Sequence, residues 1–507
     1  MTVAVGRCLG AAEVVERPGE GRALRALRAL RSGEVALVSE ALVGLVSLTS
    51  AAQCCALCLR RLPLQPCAGC ACFGYCSDVC RQADAPDHSR ECAAIPLLVK
   101  KLSACGSHVW HRGDALLDAL LSARLLRAGH PPESLAASLA SPLLGRPKAL
   151  QAMLQAPALA IPVAIAKSLL EVAAEVPQLL PDKFRHARLH QASQELVIGV
   201  LMQMQCNMTG VVEHSCFESV GSALFAEGSL ANHDCAPTCQ FLFRFREGAR
   251  PSLELQCVRD VEAGESLCIS YGDLARPVWE RRRNLQASHW FSCKCAKCMK
   301  DLTPSGLLKQ LESVSDPKGQ LLRSLFERSL PEEAEAAKML QVFKALKVPF
   351  ASTPADAAVA LALKGLAKLE PLDKSSARSN LRIIQGSLAK LLPAVHREAV
   401  ILQELQSLAL STAELAEDFS TVLQMAKELQ ARCLERYGPF HLKRCFLLRK
   451  ELAAHEALGS PATEAAVALE ELLMRLGLKE DTHDTDSHDT GLTHWEPLGI
   501  DPLDTMD

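Results

Sequence analysis

Hydrophobic and polar positions alternate in short runs in two separate parts of the chain. In residues 1–53 these runs are separated by turns, a pattern that predicts strands. The Ala-Leu-Arg triplets of residues 23–31 fit either a strand or a short helix, and periodicity alone leaves both open. In residues 206–275 the pattern predicts three strands, the first two of them paired, at 241–243, 253–258 and 267–271.

The other long stretches have the periodicity of helices. Residues 94–205 are rich in Ala and Leu, with helical spacing that prolines interrupt. Residues 303–478 consist of helical segments separated by Pro, Gly or Ser, which favours stacked helical hairpins although no strict repeat is visible. The tail after Lys479 is rich in Asp, Thr and His, and we expect it to be disordered for want of apolar surface. The whole pattern predicts an α+β chain with a helical C-terminal region.

Composition narrows the classes of protein. The chain has 507 residues, 49% of them hydrophobic, and a net charge of -3, which argues against a dedicated nucleic-acid binder. No apolar run is long enough to cross a bilayer, and the first ten residues lack a signal-peptide pattern. We therefore expect a protein of the cytoplasm and nucleus without a membrane partner, whose 22 cysteines are thiols or metal ligands.

A dense group of Cys and His residues lies near the N-terminus. Eight of them occur within 38 positions, in four pairs with two or three residues between partners. Such pairs can bind a metal ion from a tight turn, and eight ligands suit two tetrahedral zinc ions. A disulfide framework is disfavoured in a chain of this size that lacks a secretion signal. The eight predicted ligands are Cys55, Cys58, Cys67, Cys70, Cys76, Cys80, His88 and Cys92.

The order of these segments resembles the SET and MYND domain-containing protein lysine methyltransferases, in which a MYND zinc finger splits a SET domain. The Cys/His group matches the MYND pattern. Four further segments match SET and post-SET motifs in the right order: Gly-Glu-Gly-Arg-Ala-Leu-Arg-Ala at 19–26, Ser-Leu-Ala-Asn-His-Asp-Cys-Ala-Pro at 229–237, Ile-Ser-Tyr-Gly-Asp at 269–273 and Phe-Ser-Cys-Lys-Cys-Ala-Lys-Cys at 291–298.

The resemblance implies a division of the chain into a split, β-rich SET domain with insertions, followed by a tetratricopeptide-like helical domain. The implied segments are the N-terminal SET part (1–53), the MYND finger (54–92), a helical linker and insert (93–205), the C-terminal SET part (206–275), a post-SET zinc motif (276–302), the helical domain (303–478) and the tail (479–507).

The resemblance also assigns the metal ligands to three zinc ions. The MYND finger would be cross-braced, with Cys55, Cys58, Cys76 and Cys80 on one ion and Cys67, Cys70, His88 and Cys92 on the other. The post-SET thiolates are Cys293, Cys295 and Cys298, and Cys235 would be their fourth ligand. Two roles remain open for the finger: a structural brace, or a docking surface for proline-rich peptides.

The implied cofactor is S-adenosylmethionine. A loop with glycines at its ends lets the backbone approach the methionine part closely, Asn232 and His233 would hold the cofactor by hydrogen bonds, and Phe291 would stack on the adenine. Cys206 would line the pocket or be an ordinary buried cysteine. The implied cofactor contacts are Gly19, Glu20, Gly21, Cys206, Asn207, Ser229, Leu230, Asn232, His233, Tyr271 and Phe291.

Tyr271 is the implied catalytic residue. Methyl transfer needs a neutral lysine amine aligned with the sulfonium methyl, and a tyrosine hydroxyl beside the methyl group can orient that amine. The expected activity is protein-lysine N-methylation of histone or non-histone substrates. Asp234, Thr238, Ala23 and His289 depart from the family pattern, so the alternative is an inactive scaffold that binds protein partners and regulates transcription.

Overall fold

The computed structural model describes two β-sheets, a small Cys/His module and two groups of helices. The described residues are 8–17, 21–102, 115–129, 160–184, 191–214, 217–274, 276, 278–289, 291–302, 366, 368–370, 373–393 and 400–478. The expected helices within 303–365 and the expected disordered tail lie outside these residues.

The first sheet has five strands in the order β1-β2-β3-β12-β9. Its neighbours are antiparallel except for the parallel pair β12·β9, in which Cys268 lies opposite Asn232 and Ile269 opposite His233. The strands are β1 (Cys8–Leu9), β2 (Ala12–Arg17), β3 (Gly21–Ala26), β9 (Asn232–His233) and β12 (Ser266–Ile269).

The second sheet is antiparallel and has the order β10-β11-β4-β8-β7. Its strands are β4 (Val35–Val46), β7 (Met208–Glu213), β8 (Glu218–Phe225), β10 (Cys239–Arg244) and β11 (Ser252–Cys257), and a hairpin in the Cys/His module adds β5 (Gln65–Pro66) and β6 (Gly74–Tyr75). The small apolar core between the two large sheets contains Leu24, Leu255 and Leu267.

Most of the described helices form two groups, one before residue 208 and one after residue 376, and two further helices lie between these groups in the sequence. The first group packs against β4 and β8 around one large core and consists of α1 (Asp78–Glu91), α2 (Ile95–Leu102), α3 (Ala115–Arg127), α4 (Ala160–Glu175) and α5 (Gln191–Asn207). Two helices, α6 (Val278–His289) and α7 (Ala296–Asp301), follow the first sheet. The C-terminal group consists of α8 (Ala377–Leu391), α9 (Val400–Leu415), α10 (Phe419–Tyr437), α11 (Leu442–Ala457) and α12 (Thr463–Leu476).

The C-terminal helices dock on the second sheet through hydrogen bonds as well as apolar contacts. Gln240 of β10 donates to the Phe440 carbonyl at 2.6 Å and accepts from the Leu442 amide at 3.1 Å. Leu242 joins the core formed by α11 and α12. The helical region and the sheet therefore form a common surface beside β10.

The predicted pairing of 241–243 with 253–258 is confirmed, since Phe241 lies opposite Leu255 and Phe243 opposite Leu253. The helical interpretation of residues 23–31 is wrong. Leu24 lies opposite Val14 of β2 and Ala26 lies opposite Ala12, so the first part of this segment, Gly21–Ala26, is a paired strand. None of the described helices is long and apolar enough to span a membrane.

Candidate functional site

The Cys/His module brings its eight predicted ligands into two groups of four. The first contains Cys55, Cys58, Cys76 and Cys80, the second contains Cys67, Cys70, His88 and Cys92, and within each group the donor atoms lie within 4.8 Å of one another. The Sγ atoms of Cys76 and Cys80 are 3.6 Å apart, as are those of Cys67 and Cys92. Zn–S bonds of about 2.3 Å in a tetrahedron place sulfurs about 3.8 Å apart, so both donor sets fit zinc.

Helix α1 holds ligands of both groups. It begins after Ser77, whose hydroxyl accepts a hydrogen bond from the Cys80 amide at 3.3 Å. This cap fixes Cys80 in the first turn. Both ligands of the last pair lie at the other end, where His88 is in the last turn and Cys92 follows the helix as its C-cap, so they are four residues apart and on one face.

Hydrogen bonds favour the thiolate form of two ligands. A bond with the Cys55 thiol is the main reason that the pKa of Cys58 is lowered to about 5. Burial raises the pKa of Cys67, but hydrogen bonds with the Cys70 amide, the His88 ring and others lower it to about 6. Both thiols are thus prepared to bind a cation at neutral pH.

The module contacts the second sheet through its first ligand group. The Gly248 amide, in the turn between β10 and β11, donates to Cys80 Sγ at 3.2 Å. Within the module, Arg60 Nη2 lies 3.9 Å from Cys76 Sγ. Gly248 has φ +73°, a conformation that favours glycine. A backbone donor from the sheet therefore stabilises a ligand of the module.

A buried charge network lies beneath this contact. Arg124 of α3 binds Glu91 at 2.9 Å and Asp84 at 3.0 Å, and each of the three side chains is only 1% exposed. Arg127 also binds Glu91, and Tyr75 donates to Asp84 at 2.9 Å. The network joins helix α1 of the module to helix α3 of the large core.

A third group of ligands lies behind the first sheet. The four sulfurs of Cys235, Cys293, Cys295 and Cys298 lie within 4.8 Å of one another, and Cys235 and Cys298 are 3.5 Å apart. Cys295 also caps helix α7, because its sulfur accepts from the Cys298 amide. This set of four thiols suits a closed structural zinc site.

Tyr271 lies two residues after the end of β12, and both its amide and its hydroxyl are held by hydrogen bonds. Its amide donates to His233 Nδ1 at 3.0 Å, and its hydroxyl donates to the Ala231 carbonyl at 2.9 Å. Because Nδ1 accepts, the His233 proton is on Nε2, which faces Cys235 Sγ at 3.2 Å. Burial lowers the pKa of His233 to about 4 and raises the pKa of Tyr271 well above its usual range, so both groups are neutral.

Three aromatic rings, those of His233, His289 and Phe291, surround Tyr271. The ring centroid of Tyr271 is 4.6 Å from that of His289 and 5.4 Å from that of His233. Phe291 lies edge-on to Tyr271 at 6.5 Å and 6.0 Å from His233. The arrangement brings Tyr271, His233 and Phe291 together as the sequence analysis expected, and His289 joins them although it departs from the family pattern.

The other predicted cofactor contacts fall into three groups. Cys206 lies near the end of α5, and Asn207, the last residue of that helix, is buried. The Ser229 hydroxyl donates to the Ala226 carbonyl at 2.9 Å, and Leu230 is part of the core between the sheets. Gly21 has φ +76° with open space around its missing side chain. Asn232 adjoins His233 on β9, and Gly19 and Glu20 lie outside the described residues.

Sequence reasoning missed Arg22. Its Nη2 atom is buried without a hydrogen-bond partner among the residues that the structure describes, and burial lowers the pKa of the guanidinium. A buried donor of this kind is costly unless an acceptor approaches it. Arg22 directly follows Gly21, so an arginine beside a Gly-x-Gly loop was the signal available in the sequence.

Two of the residues that depart from the family pattern, Asp234 and Thr238, form hydrogen bonds of their own. Asp234 Oδ1 accepts from the Ala236 amide at 2.7 Å, which closes a local turn. The Thr238 hydroxyl lies 2.9 Å from the Ser266 carbonyl and accepts from the Cys268 amide. These contacts hold the segment between β9 and β10 against β12.

A cavity of about 360 Å³ lies between the second sheet and the C-terminal helices. Ser270 and Gly272, the neighbours of Tyr271, contribute to its wall. On the helical side the Tyr437 hydroxyl donates to Asp273 at 3.0 Å, which joins α10 to the segment after Tyr271. The cavity thus connects the Tyr271 segment with the helical region.

Comparison with known proteins identifies the class. A family model described as SET domain matches residues 21–272, a span that includes the whole second sheet, strands β3, β9 and β12 of the first sheet and the Tyr271 segment, so the chain is a SET-domain protein. Mouse histone-lysine N-methyltransferase SMYD3 is 26% identical over 252 residues, which cover 46% of this chain and 49% of that protein. The SET domain and MYND-type zinc finger protein 6 of Schizosaccharomyces pombe is 29% identical over 251 residues, covering 48% and 42%.

A third relative, N-lysine methyltransferase SMYD2-B of Xenopus laevis, is 26% identical over 290 residues, covering 55% of this chain and 59% of that protein. The chain belongs to the SET and MYND domain-containing family. It spans about half the length of the curated relatives it matches. The alignment with a solved structure described as the SET domain of LSMT bound to lysine and AdoHcy covers 95% of this chain and 93% of that chain at 12% identity. Its TM-score is only 0.34.

Proposed function

We propose that this chain is an S-adenosylmethionine-dependent protein-lysine N-methyltransferase that acts on histone or non-histone proteins. The observation that carries the proposal is the fixed Tyr271, surrounded by the rings of His233, His289 and Phe291, in a segment whose neighbouring residues Ser270 and Gly272 line a cavity. Relatives named histone-lysine and N-lysine methyltransferases support the same activity.

The cofactor site is supported by donors and space in the chain itself. The Nη2 of Arg22, which has no hydrogen-bond partner among the described residues, is suited to a carboxylate, and the open backbone at Gly21 allows close approach. Phe291 offers an aromatic face, and Asn232 and His233 offer polar groups. S-adenosylmethionine, when bound, supplies an electrophilic methyl group on a sulfonium.

Tyr271 would orient the substrate amine by accepting a hydrogen bond. Its single proton is donated to the Ala231 carbonyl, so its oxygen presents lone pairs to other groups. The raised pKa of Tyr271 keeps the hydroxyl protonated and preserves this arrangement. An acceptor fixed at two points can align the amine lone pair without reorganising during transfer.

The three ligand groups would hold three structural zinc ions, which brace the module and the segment beside Tyr271. In this proposal residues 1–53 and 206–275 form the SET domain, 54–92 the MYND finger, 93–205 the linker and insert, 276–302 the post-SET motif, 303–478 the helical domain and 479–507 the tail. Docking of proline-rich peptides at the module and residence in cytoplasm and nucleus belong to the same proposal.

Calorimetric titration of the zinc-loaded chain with S-adenosylmethionine tests the cofactor site. We expect Phe291→Ala to abolish detectable binding and Arg22→Gln to weaken it by about ten- to a hundredfold, the value of a hydrogen bond to a charged group. Arg25→Gln is the matched control, since Arg25 lies on the same strand but is exposed and pairs with Glu13 at 2.7 Å. No binding to a folded chain would favour the scaffold without enzymatic activity.

Transfer of labelled methyl groups to a histone mixture and to cell protein tests the reaction. Tyr271→Phe keeps the ring but removes the hydroxyl, and we expect kcat to fall about a hundredfold or more. The affinity for S-adenosylmethionine should change little, because the ring packing is kept. An unchanged kcat would exclude the proposed role of the hydroxyl.

A further inference from the structure

Two cysteines outside the three ligand groups lie directly opposite each other in the second sheet. Cys239 of β10 pairs with Cys257 of β11, and their Sγ atoms are 4.0 Å apart. The Val258 amide donates to the Thr238 carbonyl at the next pair, so Cys239 and Cys257 form a non-hydrogen-bonded pair. Such pairs have Cα atoms about 4.5 Å apart, within the range that a disulfide spans.

The two thiols differ in their surroundings. Both side chains are buried, Cys239 with 1% and Cys257 with 0% of its surface exposed, but only Cys239 is among the residues that line the cavity. The hydrogen bond from the Cys239 thiol lowers the pKa of Cys257, and the charges of Arg28 and Arg259 act in the same direction. Cys239 is therefore the one of the two that adjoins the cavity, and Cys257 is the one that favours the thiolate, which is the nucleophilic form.

We propose that Cys239 and Cys257 are a redox modification site that forms a reversible disulfide when a peroxide enters the cavity. One thiol attacks hydrogen peroxide, which breaks the O–O bond, forms a sulfenic acid and releases water. The second thiol attacks that sulfur, releases a second water and forms the S–S bond. Two thiols and one peroxide thus give one disulfide and two waters, with the sulfurs oxidised and the peroxide reduced.

The bond would act on the cavity. The sulfurs must approach from 4.0 Å to about 2.05 Å, which requires side-chain rotation and a shift at the ends of both strands. Pro237 and Val258, beside the two cysteines, also line the cavity. The Thr238 hydroxyl, next to Cys239, accepts a hydrogen bond from the amide of Cys268, which lies three residues before Tyr271. We therefore expect oxidation to impair substrate binding more than cofactor binding, a consequence that rests on the proposed function.

The modification is tested on the full, zinc-loaded chain treated with limiting hydrogen peroxide. Digestion with trypsin and Asp-N gives peptide 234–244 with Cys239 and peptide 247–259 with Cys257, and fragment ions distinguish Cys239 from Cys235. We expect the two peptides to be linked before zinc is released, and to separate with dithiothreitol. Zinc release without the linked pair would overturn the proposal.

Variants separate the site from general thiol oxidation. Cys257→Val removes the link and should protect peptide methylation from peroxide, whereas the control Cys445→Ala, in a different core, should keep both link and sensitivity. In the wild type, KM for the peptide should rise several-fold on oxidation and recover on reduction. A linked pair that leaves peptide binding and KM unchanged would refute the effect on the cavity. If Cys257→Val fails to fold, Cys239→Ala serves, and detection of the link in the wild type needs no variant.

Discussion

Replacing Arg124 with methionine would test how far the module depends on buried charge. Arg124 binds Glu91 and Asp84 and donates to the Gly44 carbonyl of β4 at 3.3 Å. Burial lowers the pKa of Arg124, but the charges of Glu91 and Asp84 raise it by more, so the guanidinium is charged. Methionine retains most of the volume and removes the charge and every donor.

The expected loss is about 3–5 kcal/mol of unfolding free energy, the usual cost of removing one partner from a buried ion pair. Three carboxylates, of Asp84, Asp87 and Glu91, then share only Arg127 and Arg250. The network changes from neutral to a net charge of -1. One buried carboxylate charge is then left without a cation, and the folded variant can reduce this cost by binding a proton as the pH falls.

The assay is urea unfolding of the zinc-loaded protein at pH 8 and at pH 6, with each variant compared with the wild type. The loss of unfolding free energy caused by Arg124→Met should be smaller at pH 6 than at pH 8. Arg246→Met is the control, because the pair of Arg246 with Glu40 is 64% and 63% exposed, and it should cost at most about 1 kcal/mol. A deficit for Arg124→Met no larger than that of the control, or one independent of pH, would refute the reasoning.

Three other substitutions test single contacts. Gly248→Ala should weaken zinc binding at the group containing Cys80 by about ten- to a hundredfold, measured by chelator competition, because the added Cβ displaces the amide donor. Tyr437→Phe removes the bond to Asp273 and should raise peptide KM in initial-rate assays, with cofactor affinity unchanged by calorimetry. Asp418→Ala removes the cap of α10 and should cost about 1 kcal/mol near neutral pH, seen as faster hydrogen exchange in that helix. Burial raises the pKa of Asp418 but cap hydrogen bonds lower it by more, so this contribution is present above about pH 4 and lost as the pH falls further. Unchanged zinc affinity, KM or exchange would contradict the respective prediction.

The sequence predicted best what local spacing determines. Paired cysteines bind an ion from a turn, so their ligand roles are visible in the spacing, and alternation in 241–243 and 253–258 indicated a strand pair. The triplets at 23–31 were ambiguous because a repeat of three fits helical spacing, while the strand there is stabilised by pairing with β2 and β12, which lies about 240 residues away.

The buried charge network could not be predicted in this way. Asp84 and Glu91 lie on a polar helix and Arg124 on an apolar one, and a charged residue on a helix is usually solvated. Only the packing of α3 against the module brings the three together. Arg22 is similar, since a strand arginine gains significance only when its donor is buried without a partner.

The segment from Ala231 to Cys239 explains why the third metal group and Tyr271 belong to one structural unit. Within nine residues it supplies the Ala231 carbonyl to the Tyr271 hydroxyl, the His233 ring to the Tyr271 amide and the Cys235 sulfur to the ligand group. Because His233 faces Tyr271 with one ring nitrogen and Cys235 with the other, the position of the sulfur orients the ring that holds Tyr271. A metal bound at Cys235 would therefore stabilise the orientation of Tyr271 across a single imidazole, although none of the four ligands contacts the substrate in this proposal.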